Sequence, residues 1–72
     1  MLISTYKLYE RGTGKEHEIK IVFNGLTRLN HKEYAVIMDG ETVGTHRNED
    51  LARNQIVDIA IDLDLTNINR WR

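Results

Sequence analysis

Apolar and polar residues alternate along much of this chain. From Leu2 to Glu10, the residues Leu2, Ser4, Tyr6 and Leu8 take one side and Ile3, Thr5, Lys7 and Tyr9 the other. That two-residue period is a strand's, and its β-branched and aromatic residues suit a pleated surface. The stretch "ERGTGKE" carries two glycines and predicts a turn. His17 to Asn24 then resumes the alternation, with Ile19, Ile21 and Phe23 as the buried row and Glu18, Lys20 and Val22 facing outward. The two segments together predict a hairpin. "GLTRLNHK", residues 25 to 32, reads as a connector. Glu33 to Met38 is a third strand, with Tyr34, Val36 and Met38 in one row. Asp39-Gly40 is the strongest local signal in the chain, because a type I′ turn needs positive φ and Gly tolerates it. Thr42 to Thr45 returns as a short fourth strand.

The segment "QIVDIAIDLDL", residues 55 to 65, carries two periods at once. Val57, Ile59, Ile61, Leu63 and Leu65 alternate as in a strand. Asn48, however, is a good helix N-cap, and Glu49 and Asp50 follow it where the positive end of a helix dipole favours acids. From Glu49 to about Leu63 the residues Ala52, Ile56, Ile59, Ala60 and Leu63 share one helical face. The chain is read as a helix there, and that reading leaves a second stripe: Val57, Ile61 and Leu65 recur every four residues, roughly opposite the first. Three apolar residues in line on a water-facing side predict a partner surface, most economically a second copy of the chain.

The expected architecture is therefore α+β: a small antiparallel sheet of three to four strands, made of two hairpins, packed against one C-terminal amphipathic helix. It fills residues 1–66, with 67–72 as a tail. The predicted core is Tyr6, Leu8, Ile19, Ile21, Phe23, Tyr34, Val36, Met38, Ala52, Ile56, Ile59 and Leu63.

Composition adds to this picture at three points. With 72 residues and no Cys, the chain builds a modest core that no disulfide can staple, which raises the expectation of a homodimer. No run approaches the roughly 20 apolar residues of a membrane span, and the start lacks the features of a signal peptide, so a cytoplasmic protein with no membrane partner is expected. Net charge is −1 but unevenly placed: +3 over residues 1–32, −6 over 33–66 and +2 over the last six.

Candidate chemistry is sparse. His17, His31 and His46 lack ligand spacing and read as surface or turn residues; no metal or other cofactor is expected. There is no Cys nucleophile, the lone Ser4 has no nucleophile-elbow context, and "GTGK" at residues 12 to 15 lacks the rest of a phosphate-loop pattern. Asp58 and Asp62 share a helical face, which with Asp50 and Asn54 reads as solvated acidic surface. An enzyme is not expected.

The order of strand, "YAVIMDGETVG" and helix over Glu33 to Leu63 resembles, in topology, two nucleic-acid-binding layouts. One is the three-stranded sheet plus helix of integrase arm-binding modules and plant ethylene-response factors. The other is the C-terminal half of double-stranded-RNA-binding domains. The resemblance covers less than half the chain and implies a sheet-plus-helix fold. It departs at the helix start, "RNEDLAR", where Glu49 and Asp50 stand in place of the lysines that meet phosphate in the RNA-binding domains. The leading expectation is a small non-enzymatic protein–protein interaction or regulatory module, a homodimer with a further protein partner, of a size that suits a phage or mobile-element accessory protein. The alternative is a nucleic-acid-binding regulator using the sheet face and the basic tail, with Lys20, Arg28, Lys32, Arg70, Trp71 and Arg72 as contacts; Lys7 is a further sheet-face cation.

Overall fold

The alternation and the Asn48 cap locate the first four strands and the helix to within a residue or two. The computed structural model describes residues 1–66, in the order β1 (Leu2–Glu10), β2 (Glu16–Leu26), β3 (Lys32–Met38), β4 (Glu41–His46), α1 (Glu49–Asp62) and β5 (Leu65–Thr66). The result is a small α+β fold, a five-stranded antiparallel sheet of order β4-β3-β2-β1-β5 with one helix. Two expectations are corrected here. The sheet has five strands instead of three or four, and the helix is followed by β5, so it is not the last element of the chain.

Register fixes which side chains share a face, because residues directly opposite across an antiparallel pair point the same way. Tyr6 stands opposite Ile19, and Ile19 opposite Met38; Ile21 faces Val36, and Phe23 faces Tyr34. These residues line the side that the helix covers. Ile19, Ile21 and Val36 are fully buried there, joined by Leu8, Tyr34, Ala52, Ile56 and Leu65. Thr5, Lys7, Glu18, Lys20, Val22 and Ile37 belong to the other side, which no second layer covers among the described residues. A register shift between Leu2 and Ser4 pairs Leu2 with Val22, so Leu2 is exposed while Ile3 packs against the core. Strict alternation had placed them the other way round.

The helix starts as a capped helix should. Asn48 is extended, and its side-chain oxygen accepts from the Leu51 N–H at 2.9 Å. The helix packs on β3 and β4 alike, and the side-chain hydrogen bonds of Gln55 tie it to β4. Gln55 donates to the Val43 carbonyl at 3.1 Å and is hydrogen-bonded to His46 Nε2. Gly44 makes room for this contact: a Cβ there would fall 2.2 Å from Gln55 Oε1.

Of the two periods of residues 55–65 the helical one holds through Asp62, and of the alternating row only Leu65 lies in a strand. The helix ends at Leu63, whose N–H donates to the Ile59 carbonyl at 3.0 Å, and Asp64 then adopts a left-handed conformation with φ of 52°. That reversal, of the kind common after helices, turns the chain back as a strand. Leu65 pairs with Glu10, and Thr66 with Tyr9. Leu65 thereby enters the core at 7% exposure, while Leu63, expected in the core, is exposed. No described helix is long and apolar enough to cross a membrane.

Candidate functional site

Strand direction sorts the polar residues to two ends of the sheet, and each end gathers a cluster. At one end lie the close of β1, the start of β2 and the β3–β4 turn. Leu8 stands opposite His17 in the covered row, so the His17 ring is drawn inward and is 7% exposed. This corrects the reading of His17 as a surface or turn residue. Its Nδ1 lies 2.6 Å from Asp39 Oδ2, and its Nε2 lies 2.6 Å from Glu10 Oε2. A neutral imidazole has one N–H, so it can donate to only one of the two carboxylates; the imidazolium donates to both. Hydrogen bonding to Asp39, then to Glu10, raises the His17 pKa above its ordinary 6.5. The same contacts hold both acids below their usual range, Glu10 with help from the Thr13 hydroxyl and Asp39 with help from the Glu18 N–H. The cluster ties the β1–β2 hairpin to the Asp39-Gly40 turn. It was legible in principle: His17 precedes Ile19 by two, which continues the buried row.

At the other end the β2–β3 connector and the close of β4 border an open basin of about 530 Å³. Thr27 folds the connector: its N–H donates to the His31 carbonyl at 2.8 Å, and its hydroxyl accepts from the N–H groups of Leu29 and His31. Arg28 and Lys32 flank that turn, and Arg47, between β4 and the helix cap, completes the rim with His31 and His46 nearby. None of Arg28, Lys32 and Arg47 forms an ion pair with an acid among the described residues. Other cations are engaged: Lys7 with Glu16 at 3.9 Å, Lys20 with Glu18 at 3.3 Å and Arg53 with Glu49 at 2.8 Å.

Two of the six candidate contacts, Arg28 and Lys32, are thus brought together at the sheet end, with Arg47 as a third that sequence reasoning missed. Lys20 is not with them; it sits on the uncovered face. Arg70, Trp71 and Arg72 lie outside the described residues. Among the self-association candidates, Val57 and Ile61 are exposed at 54% and 71%, whereas Leu65 is buried and leaves the stripe. Val57 also lines a small apolar cleft of about 210 Å³ with Tyr6, Arg53 and Ile56, where the helix meets β1. Among the described residues no group of His, Asp and Glu is placed to hold a metal ion. Comparison with protein-family models, with curated proteins and with solved structures finds no match to this chain.

Proposed function

We propose that this chain is a non-enzymatic interaction module that pairs with a second copy of itself along the outer edge of β1 and the helix flank beside it. The observation that carries the reading is the state of that edge. β5 pairs with Tyr9 and Glu10, and among the described residues nothing pairs with β1 outward from Ile3 to Leu8. An unpaired strand edge is a template for another strand, and proteins normally blunt it with charge, proline, bulges or shortness. The β4 edge is so treated: it has a register shift at its centre and a carbonyl taken up by Gln55. The Ile3 to Leu8 edge carries one charge, Lys7, and no proline.

The apolar cleft adjoins this edge at Tyr6, and Val57 and Ile61 continue it along the helix. Arg53 bridges the two, hydrogen-bonded to Tyr6 and to Glu49, which hold it firmly charged. A two-fold axis through Tyr6 and perpendicular to the sheet sets Lys7 of one copy opposite Thr5 of the other, so no like charges meet across the joint. Both helices then lie on the same side, with their Val57 and Ile61 flanks toward each other. Burying those side chains adds the apolar area that a core of this size lacks.

Light scattering and sedimentation at tens of micromolar test the reading. The expected result is a dimer for the wild type and a folded monomer for Ile61→Asp. A strictly monomeric wild type removes it.

A further inference from the structure

We infer that the basin at the Arg28–Lys32–Arg47 end of the sheet binds the phosphodiester backbone of nucleic acid. Three cations stand on the rim of one concavity, and none is neutralised by an acid among the described residues. The lining acid, Glu33, accepts from the Asn24 amide at 3.1 Å and sets one carboxylate against the three cations. The next acids along the chain, Glu49 and Asp50, face Arg53 at 2.8 and 3.7 Å. Three like charges around one concavity make a favourable place for an anion. The site is also built in advance: Thr27 knots the connector that presents Arg28, and the Asn48 cap and the His46–Gln55 contact fix the segment that presents Arg47.

The chemistry of the lining narrows the ligand. Thr27 and Thr45 add hydroxyl groups, and among the described residues the only rings lining the basin are the imidazoles of His31 and His46, with no Phe, Tyr or Trp. Contacts to phosphate and sugar position a protein on nucleic acid without reading its sequence, so binding here is sequence-independent. A concave rim of cations matches a ridge of phosphates; a flat bilayer is met by a convex, apolar tip. The exposed Leu29 on the rim makes anionic vesicles the comparison that matters. The site lies away from β1 and is complete in one copy, so it stands or falls independently of self-association.

The test is fluorescence anisotropy with a labelled mixed-sequence DNA duplex across a salt series. Three phosphate contacts give a slope of log K against log salt of about −2.7, an affinity loss of about 40-fold between 50 and 200 mM salt. Arg28→Ala, Lys32→Ala and Arg47→Ala should each flatten that slope by about 0.9 and weaken binding alike on unrelated sequences. The triple variant should lose retention while keeping the wild-type circular dichroism, since all three side chains are exposed. Lys20→Ala, and the pair Arg70→Ala with Arg72→Ala, should leave binding intact. No retention of the wild type at low salt overturns the inference. So does a triple variant that binds like wild type, a loss of binding in the Arg70/Arg72 variant, or capture by phosphatidylserine vesicles with none by the duplex.

Discussion

Replacing His17 by Phe removes both N–H donors from the Glu10–His17–Asp39 cluster while keeping a planar ring in the covered row. Hydrogen bonds to charged groups contribute about 1.5–3 kcal/mol each, so two set an upper bound near 3–6 kcal/mol. That bound must be discounted, because the side chains of Glu10 and Asp39 are 32% and 46% exposed and water re-solvates them when the ring nitrogens go. Loss of His17 is therefore expected to cost about 2–3 kcal/mol, against a total of roughly 4–11 kcal/mol for a chain of this length. The sign of the pH dependence follows from the shifts. His17 is raised above 6.5, so below that pH its stabilisation is fully present. As pH rises toward the folded value the unfolded chain gives up a proton that the native state keeps, and stability falls by at most about 1.4 kcal/mol per pH unit. Glu10 and Asp39 are lowered from 4.5 and 3.8, so their share is present above those values and fades as pH falls through the folded ones. Lys15 acts on both acids in the same sense and survives the substitution. Urea titrations of wild type and His17→Phe at fixed protein concentration should show a stability difference greatest between about pH 4.5 and 6.5 and smaller on either side. A difference below about 0.5 kcal/mol at that maximum, or one that stays level into the alkaline range, refutes an imidazolium clasp.

Other substitutions separate the remaining contacts. Ile56→Ala, in the core at 7% exposure, should cost about 2–5 kcal/mol, and half-buried Ile59→Ala about 1–2 kcal/mol, in chemical denaturation. Asn48→Ala removes the bond to the Leu51 N–H and should cost about 1 kcal/mol, with lower helicity by circular dichroism. In Gly44→Ala the new methyl displaces the Gln55 amide from Val43 and His46. The loss is about 1–2 kcal/mol of hydrogen bonding; Gln55→Ala removes the same bonds, so adding Gly44→Ala to Gln55→Ala should cost little more, which would show that the clash with Gln55 is the cause. Asp64→Gly relieves an L-residue at positive φ; a gain of about 0.5–1 kcal/mol in thermal melts is expected, and a loss would mean that the 3.2 Å pair with Arg11 outweighs backbone relief.

What could be read from the sequence, and what could not, divides along a physical line. Local signals were sufficient where period and punctuation agree. The Leu2–Glu10 alternation, the Asp39-Gly40 turn and the Asn48 cap each act through a few neighbouring residues, and each appears in place. The misses concern residues whose role depends on what lies across the sheet. Asp39 looks like a turn former, and it is one, with φ of 52°; that it is also a counter-ion follows from β2 delivering His17 beside it, 22 residues away in sequence. Arg47 drew no attention in a segment read as the helix start, yet the strand order carries it to the connector that bears Arg28 and Lys32.

The residues 57–65 show the same division within one segment. The helical cap governs the residues through Asp62, and of the strand-like spacing only Leu65 ends in a strand. The boundary between them is a left-handed Asp64, with no Gly or Pro to mark it. A strand of two residues has no period of its own. It exists because the helix ends within reach of the β1 edge at Glu10, and because burying Leu65 against Leu8 and Ile56 offsets the cost of the reversal. That same placement leaves Ile3 to Leu8 unpaired among the described residues. The stop at Asp64 thus moves Leu65 from the expected partner surface to the core, and shifts the proposed contact between copies from a helix stripe to the adjoining strand edge.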